Sequence, residues 1–209
     1  MNNNETFKSY CERHYPNHKH FYTDGSKVTN PLSTSRAIYS DYLKLTECWK
    51  LRPEHSVVHA ELYGIFQALI FLQRNPSPQI ILFTDSQSAL FMLLKSMPKT
   101  YVNIIYKIKK LLLELNSSST VILHYIKGHV GVRGNEIADR AANKGHSNDR
   151  SELLNLTKEE TISILKMNFK KFWDDCWKCS CEITSKGLFL RSVREYILWI
   201  TSWYFDCDD

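Results

Sequence analysis

Four acidic residues that lie far apart in the sequence could together carry metal-dependent chemistry: Asp24, Glu61, Asp85 and Asp139. Asp24 closes the run FYTD, where we expect a strand to end and a turn to begin, and Asp85 closes the apolar run IILFTD. Either position alone is ordinary, because Asp is common at turns and beside helix N-caps. Glu61 is more informative. Ile65 and Leu72 recur at helical spacing and place it on the apolar side of a helix, where carboxylates are rarely unpaired or free of metal.

The fourth acid, Asp139, stands among small residues, namely Ala138, Ala141 and Ala142. These would let its helix approach a sheet closely, although a solvent-exposed position remains open. Four carboxylates brought together repel one another, and divalent cations relieve that repulsion. A ligand set made of oxygen alone suits Mg²⁺ or Mn²⁺ better than zinc. If the acids converge, the sequence therefore predicts a divalent-cation site.

The elements that must position these acids follow from the periodicity of the apolar residues. Three extended pieces come first: residues 20–26, and then RAIYSDYLKL and TECWKLR beyond the loop VTNPLSTS. They are close enough in sequence to pair as an antiparallel meander. Helical spacing over residues 56–73 is followed by the nearly continuous apolar run 79–85, which is typical of a strand covered on both faces.

The second half of the pattern alternates helices and a strand. We predict a helix that begins at Ser86, a helix at 101–115, a strand at 120–128 and a helix at 135–145 that Gly145 ends. This order predicts an α/β fold with a mixed five-stranded sheet flanked by helices. The three-stranded antiparallel meander lies at one edge, and right-handed crossovers join the parallel strands.

The ends of the chain differ from this middle region. Residues 1–17 are polar and are predicted to form an N-terminal arm, and the less favoured alternative is a zinc site made by Cys11, His14, His18 and His20. The folded domain is predicted over 18–147, and residues 148–209 are predicted to be a helical extension with helices at 157–178 and 186–205.

Within that extension, the aromatic residues are predicted to form a packing face: Phe169, Phe172, Trp173 and Trp177. The run CWKCSC, with Cys176, Cys179 and Cys181, fits one helix face poorly as a four-ligand zinc site, so we interpret these as ordinary helical cysteines.

Amino-acid composition limits the kinds of binding partner and the cellular compartment that we expect for this chain. The 209 residues are 43% hydrophobic and carry a formal net charge of +5, which permits an anionic partner such as nucleic acid without requiring one. Six unevenly spaced cysteines and an N-terminus without an apolar run favour reduced thiols and an intracellular protein. The apolar stretch 196–205 is much shorter than the ~20 residues that span a bilayer, so no membrane association is expected.

Taken together, four motifs resemble the ribonuclease H family. They are YTDGS, AEL with Glu61, FTDSQ and GHVGVRGNEIAD, in that order and at fitting intervals within residues 18–147. The resemblance is to the domain of cellular ribonucleases H and of reverse transcriptases. The last motif is most similar to the form found in non-LTR retrotransposons of animals. This resemblance implies a ribonuclease H-like fold, and it allows the chain to be a piece of a larger retroelement polyprotein.

The resemblance also implies roles for the acids. Asp24 would bridge two Mg²⁺ ions. Asp139 would complete the coordination of the ion on the side of the attacking water, and Glu61 with Asp85 would hold the ion that faces the leaving group. Mn²⁺ would be able to substitute. His129 matches a histidine thought to assist proton movement or product release, and the alternative is a loop histidine without a role.

Four further positions match residues that contact the nucleic acid in the family: Gly25, Ser26, Gln87 and Asn135. Two departures from the family pattern are visible. Val57 and Val58 replace polar residues that contact substrate in many bacterial members, which weakens the expected affinity for the hybrid. The tripeptide Tyr125-Ile126-Lys127 replaces an aromatic-Val-Pro segment, which would alter only the loop.

The function implied is Mg²⁺-dependent endonucleolytic hydrolysis of the RNA strand of RNA–DNA hybrids, leaving 5′-phosphate and 3′-hydroxyl ends. Because a 2′-hydroxyl rather than a base would be recognised, cleavage would be insensitive to base sequence. The alternatives are a catalytically silent nucleic-acid-binding module of the same fold, and a related integrase or resolvase-type nuclease. The spacing of His129 and Asp139 disfavours the integrase or resolvase-type nuclease.

Overall fold

The computed structural model describes residues 3–149, 151–152 and 154–183. The first half of the chain contains six elements: α1 (Asn3–His14), β1 (Lys19–Thr29), β2 (Leu32–Ser40), β3 (Leu45–Leu51), α2 (Val57–Arg74) and β4 (Gln79–Thr84). The second half contains six more: α3 (Gln87–Leu94), α4 (Val102–Leu115), β5 (Thr120–Tyr125), α5 (Arg133–Gly145), β6 (Ser151–Glu152) and α6 (Lys158–Ile183).

The strands form one mixed sheet in the order β5-β4-β1-β2-β3-β6. Strands β1, β2 and β3 are the predicted antiparallel meander, and β4 and β5 continue the sheet in parallel to β1. The α/β fold class is confirmed, with one difference in strand number. The two-residue β6 pairs in parallel with β3 and makes a sixth strand, which two residues give too little periodicity to reveal in the sequence.

The β1–β2 hairpin is longer than the sequence predicts. Residues expected to form the loop VTNPLSTS instead continue both strands, and the ladder runs from Tyr22 opposite Tyr39 to Thr29 opposite Leu32. The predicted strand end at Asp24 and Gly25 is therefore wrong. Polar residues are tolerated in this part of the ladder because backbone groups, rather than side chains, make the pairing.

Apolar side chains cover both faces of the sheet. Alternation along the strands sends Phe21 and Leu82 to one face, where they pack in the cluster that contains α2 and α4 residues. Tyr22 and Phe83 point to the opposite face and pack in a second cluster with Val132 and Ala138. As predicted, β4 is buried on both faces from its second residue onward.

The N-terminal segment, predicted as an arm, contains the helix α1. Phe7 lies with its ring centroid 5.1 Å from that of Phe83, and Cys11 is 2% exposed. Phe7 and Cys11 are spaced four residues apart, so they share one face of the helix and cover the sheet. Among the residues that the structure describes, the proposed ligands Cys11, His14, His18 and His20 do not form a metal-binding group.

The helix α5 ends at Gly145, as predicted, but for a different reason. A Cβ atom at Gly145 would lie 2.9 Å from the Cβ of Ser35, so the glycine permits close packing of α5 on β2. The following residue, His146, is right-handed helical rather than left-handed.

The chain divides by its contacts into two units, residues 1–160 and 161–209. The predicted helix over 157–178 is present as α6, and its Phe169, Phe172 and Trp173 are exposed. The predicted helix at 186–205 and the side chains of Cys179 and Cys181 lie outside the described residues. Each helix within the described ranges is too short or too polar to cross a membrane.

Candidate active site

Asp24 lies in the interior of β1, and the register of the sheet brings it beside Asp85. The parallel pairing of β1 with β4 ends at Thr23 opposite Thr84. The residue that follows each of these threonines is an aspartate, so both acids emerge at the same point of the sheet. Asp24 nevertheless remains paired with Ala37 on the β2 side, and it is 6% exposed. Its position is that of a buried ladder residue rather than of a turn.

Asp85 stands between the end of β4 and the beginning of α3. Ser86 caps that helix by accepting a hydrogen bond of 3.3 Å from the backbone N–H of Ala89, as the sequence predicts. The side-chain amide of Asn135 donates to Oδ2 of Asp85 at 3.0 Å. A Cβ atom at Gly128 would lie 2.7 Å from the same oxygen, so a side chain there would displace the carboxylate.

Glu61 reaches the site because α2 crosses β1 at a glycine. A Cβ atom at Gly25 would lie 2.7 Å from the backbone nitrogen of Glu61, a distance that real Cβ atoms do not adopt. Gly25 therefore serves the close approach of helix and strand. Glu61 is 5% exposed, and its Oε2 is buried without a hydrogen-bond partner.

Three carboxylates consequently converge: Asp24, Glu61 and Asp85 each offer an oxygen within 4.8 Å of the others. Burial, and then repulsion from Asp85 and Asp139, raises the pKa of Asp24 to about 7. Burial, and then repulsion from Asp24 and Asp85, raises the pKa of Glu61 well above its usual value. An oxygen-only group with one unpartnered buried oxygen fits a divalent cation of the Mg²⁺ or Mn²⁺ type.

Asp139 lies at the edge of this group rather than inside it. It is close enough for its charge to raise the pKa of Asp24, but it is not one of the three acids within 4.8 Å. Its Oδ1 accepts a hydrogen bond of 2.9 Å from Asn143, one turn later on α5. Its Oδ2 lies 3.8 Å from Nδ1 of His129, whose side chain is 81% exposed. An exposed histidine beside a carboxylate can exchange protons with solvent.

The residues expected to contact nucleic acid occupy different environments. Gln87 is exposed at the first position of α3. Ser26 is half-buried, donates to Oδ1 of Asn143 at 2.9 Å and lies 3.0 Å from Nε2 of His146. Asn135 is 2% exposed, so its contact with Asp85 is the interaction that the structure provides for it.

Sequence reasoning missed the hydrogen bonds that surround the acids. Asn143 could have been found, because it lies four residues after Asp139 on the same helix and therefore on the same face. The bond of Asn135 to Asp85 had no such signal, since 50 residues separate the partners.

Comparison with known proteins agrees with this architecture. The family model described as RNase H matches residues 16–147, which is more than half of the chain. A solved structure of the foamy viral protease-reverse transcriptase in complex with dsDNA is similar in fold. It has a TM-score of 0.51 and 21% sequence identity, over 61% of this chain and 93% of that one. No curated protein sequence matches. The chain belongs to the RNase H family, nucleases that in general hydrolyse the RNA strand of RNA–DNA hybrids.

Proposed function

We propose that this chain is an endoribonuclease that hydrolyses the RNA strand of RNA–DNA hybrids with the aid of two divalent cations, Mg²⁺ or, in its place, Mn²⁺. The observation that carries the proposal is the convergence of Asp24, Glu61 and Asp85 within 4.8 Å, in surroundings that raise the pKa of two of them. Mutual repulsion among carboxylates destabilises a fold, so a bound cation is the simplest explanation for the convergence of these three acids.

Each acid has a distinct place in this proposal. Asp24, in the middle of the group, would be shared by both ions. Glu61 and Asp85 would complete the coordination of one ion, and Asp139 would complete the coordination of the other. When bound, such a pair of cations activates a water molecule and stabilises the charge on the departing 3′ oxygen. The chain then needs no nucleophilic side chain of its own.

The remaining residues would orient groups and move protons. The amide of Asn135 holds Asp85 in one orientation, and Asn143 does the same for Asp139. His129, at 3.8 Å from Asp139, would take up or release a proton at Nδ1. The half-buried Gly25 and Ser26 and the exposed Gln87 would contact the backbone of the hybrid, including its 2′-hydroxyl groups.

A retroelement origin is part of the proposal and rests on the motif GHVGVRGNEIAD. A reverse-transcriptase coding sequence adjoining the gene would support that origin.

The deciding experiment incubates the full chain with a labelled RNA–DNA hybrid in the presence of Mg²⁺, of Mn²⁺ or of EDTA. We expect cleavage with either cation, none in EDTA, and 5′-phosphate with 3′-hydroxyl ends. Duplex DNA tested in parallel should remain intact. Products that end in 2′,3′-cyclic phosphate would contradict the mechanism. Cleavage of duplex DNA at a similar rate would favour an integrase-type nuclease, and a folded but inactive chain would favour a silent binding module.

Two variants sharpen this test. Asp24→Asn should lower turnover at least about a thousandfold, since the loss of a single electrostatic contact in an active site already costs roughly 10²–10³. His129→Ala should cost only about 10², the lower end of the range for proton-transfer groups. Near-normal cleavage by folded Asp24→Asn at saturating Mg²⁺ would remove Asp24 from the mechanism.

A further inference from the structure

A second group of titratable side chains lies outside the carboxylate cluster and is buried more completely. His55 is 0% exposed, His59 is 5% exposed and Glu160 is 6% exposed. His55 precedes Ser56, the N-cap of α2, and His59 lies in the first turn of that helix. Glu160 lies in the first turn of α6, 101 residues after His59.

Both imidazole rings point the same nitrogen at the carboxylate. Nδ1 of His55 lies 3.0 Å from Oε2 of Glu160, and Nδ1 of His59 lies 3.1 Å from each of its oxygens. Two backbone amides fix the carboxylate from other directions: Ser56 N–H donates at 2.8 Å and Thr157 N–H at 3.0 Å. The three side chains therefore converge on one point from two rigid helix starts.

Two histidines spaced four residues apart, with one carboxylate from a distant segment, form a ligand set typical of zinc. Ligands about 2.0–2.2 Å from a tetrahedral ion stand roughly 3.3 Å from each other. The observed distances of 3.0–3.1 Å need to widen by only a few tenths of an ångström.

Hydrogen bonds alone account poorly for the burial of His55. Its Nε2 is buried without a partner, so the ring makes a single hydrogen bond and leaves its other nitrogen unsatisfied. Such a group costs free energy that one hydrogen bond does not recover. A metal bond at Nδ1 is stronger and would offset that cost.

Of the three side chains, His59 borders a cavity from which a fourth ligand could come. A cavity of about 510 Å³ is lined by His59, Tyr101 and Thr157 among other residues. Water in this cavity could complete the coordination, which is the pattern of zinc sites that have three protein ligands.

We propose that His55, His59 and Glu160 bind a zinc ion, with water as the fourth ligand. The ion would join Glu160, in the first turn of α6, to the beginning of α2, where His59 lies two residues before Glu61. The site is chemically distinct from the carboxylate cluster, because imidazole nitrogen favours zinc and an oxygen-only group favours Mg²⁺.

The first test measures zinc bound to the full chain by elemental analysis, after dialysis against Mg²⁺ buffer without free zinc. We expect one equivalent of zinc. Since loss of even an indirect supporting contact costs about 10–100-fold in metal affinity, His59→Gln should lower the zinc affinity by at least about a hundredfold. Glu160→Gln should do the same.

Three control variants separate this site from other sites that could take zinc. Asp24→Asn alters the carboxylate cluster. Cys176→Ser combined with Cys179→Ser and Cys181→Ser removes the thiols of the run CWKCSC, and His14→Gln removes an exposed histidine. All three should keep the full equivalent. Loss of zinc in any of them, with retention in His59→Gln, would overturn the assignment.

A spectroscopic test on the unaltered chain decides the matter even if the histidine variants fold poorly. Replacement of zinc by Co²⁺ should give the visible d–d bands of a tetrahedral ion without thiolate charge transfer in the near ultraviolet. Thiolate charge transfer would place the metal on cysteine, and a spectrum of free aqueous Co²⁺ would show that the group is joined by hydrogen bonds only. Either result would refute the zinc site.

Discussion

Asp24 holds its proton far more tightly in the folded chain than an exposed aspartate does. Burial is the first cause and the charges of Asp85 and Asp139 are the second, and together they raise its pKa from 3.8 to about 7 in the metal-free protein. Burial, and then repulsion from Asp24 and Asp85, likewise raises the pKa of Glu61 well above its usual value. The acids that make the site competent for cations therefore lower the stability of the fold whenever cations are absent and the acids are ionised.

This coupling predicts the pH dependence of stability in EDTA. Between about pH 4 and about pH 7 the unfolded chain releases the Asp24 proton while the folded chain keeps it, so the free energy of unfolding falls as the pH rises. The free energy of unfolding of Asp24→Asn should fall less steeply with pH, so that this variant is more stable than the original chain above about pH 7. Urea denaturation at a series of pH values measures both. Saturating Mg²⁺ should raise the free energy of unfolding of the original chain more than that of the variant. If the free energy of unfolding fell equally steeply with pH in the two proteins, the proposed effect of Asp24 would be contradicted.

At the scale of elements, the site depends on how closely α2 crosses β1. Gly25→Ala would place a Cβ atom 2.7 Å from the backbone nitrogen of Glu61. We expect the helix to shift, with a loss of about 1–3 kcal/mol of unfolding free energy, as for other overpacked sites. Because Glu61 moves with the helix, stabilisation by Mg²⁺ should also shrink. Denaturation with and without Mg²⁺ measures both effects.

Gly64→Ala is the matched control on the same helix. A Cβ atom there would meet its nearest neighbour, the Cβ of Thr23, at 3.5 Å, which is an ordinary contact. Since alanine is the better helix former, this change should stabilise the chain by up to about 1 kcal/mol. Equal stability of the Gly25→Ala and Gly64→Ala proteins would show that the crossing is not tight.

The short strand β6 supplies the partner of a buried charge. Arg36, 2% exposed on β2, donates from Nη2 to Oε2 of Glu152 at 2.9 Å and from Nε at 3.2 Å. Glu152→Ala would leave that guanidinium buried without its carboxylate and should cost about 3 kcal/mol of unfolding free energy. Glu159→Ala, at an exposed position nearby, should change stability by less than about 0.5 kcal/mol. Urea denaturation compares them, and a cost for Glu152→Ala no larger than that of its control would contradict this role.

For the whole molecule, charge governs the expected binding of a hybrid. The chain carries 27 basic and 22 acidic residues, and four of those acids are proposed to be neutralised by cations. Binding through phosphates releases counterions, so affinity should fall steeply with salt, with a log–log slope of about −3 or steeper. Fluorescence anisotropy of a labelled hybrid measures this slope with Ca²⁺ in place of Mg²⁺. Thermal unfolding in the same salts serves as the control for stability, and a flat dependence would exclude a phosphate-dominated interface.

The contact unit of residues 1–160 is longer than the domain predicted at 18–147. The segment that follows α5 adds β6 to the sheet and brings Glu152 and Glu160 to buried partners on β2 and at the start of α2. The sequence of residues 148–160 contains no local pattern that predicts these contacts. The predicted boundaries of the three regions remain predictions.

The sequence by itself determined the order of the elements from β1 to α5, because apolar periodicity and capping residues such as Ser86 act over a few neighbours. It also identified the four acids, through the motifs that resemble the family. Tertiary structure decided which of them meet: the register Thr23–Thr84 and the glycine crossing bring three within 4.8 Å and leave Asp139 at the edge. It likewise produced the group around Glu160. Such contacts join residues that are far apart in the chain, by up to 101 positions for His59 and Glu160, and their packing leaves no local pattern in the sequence.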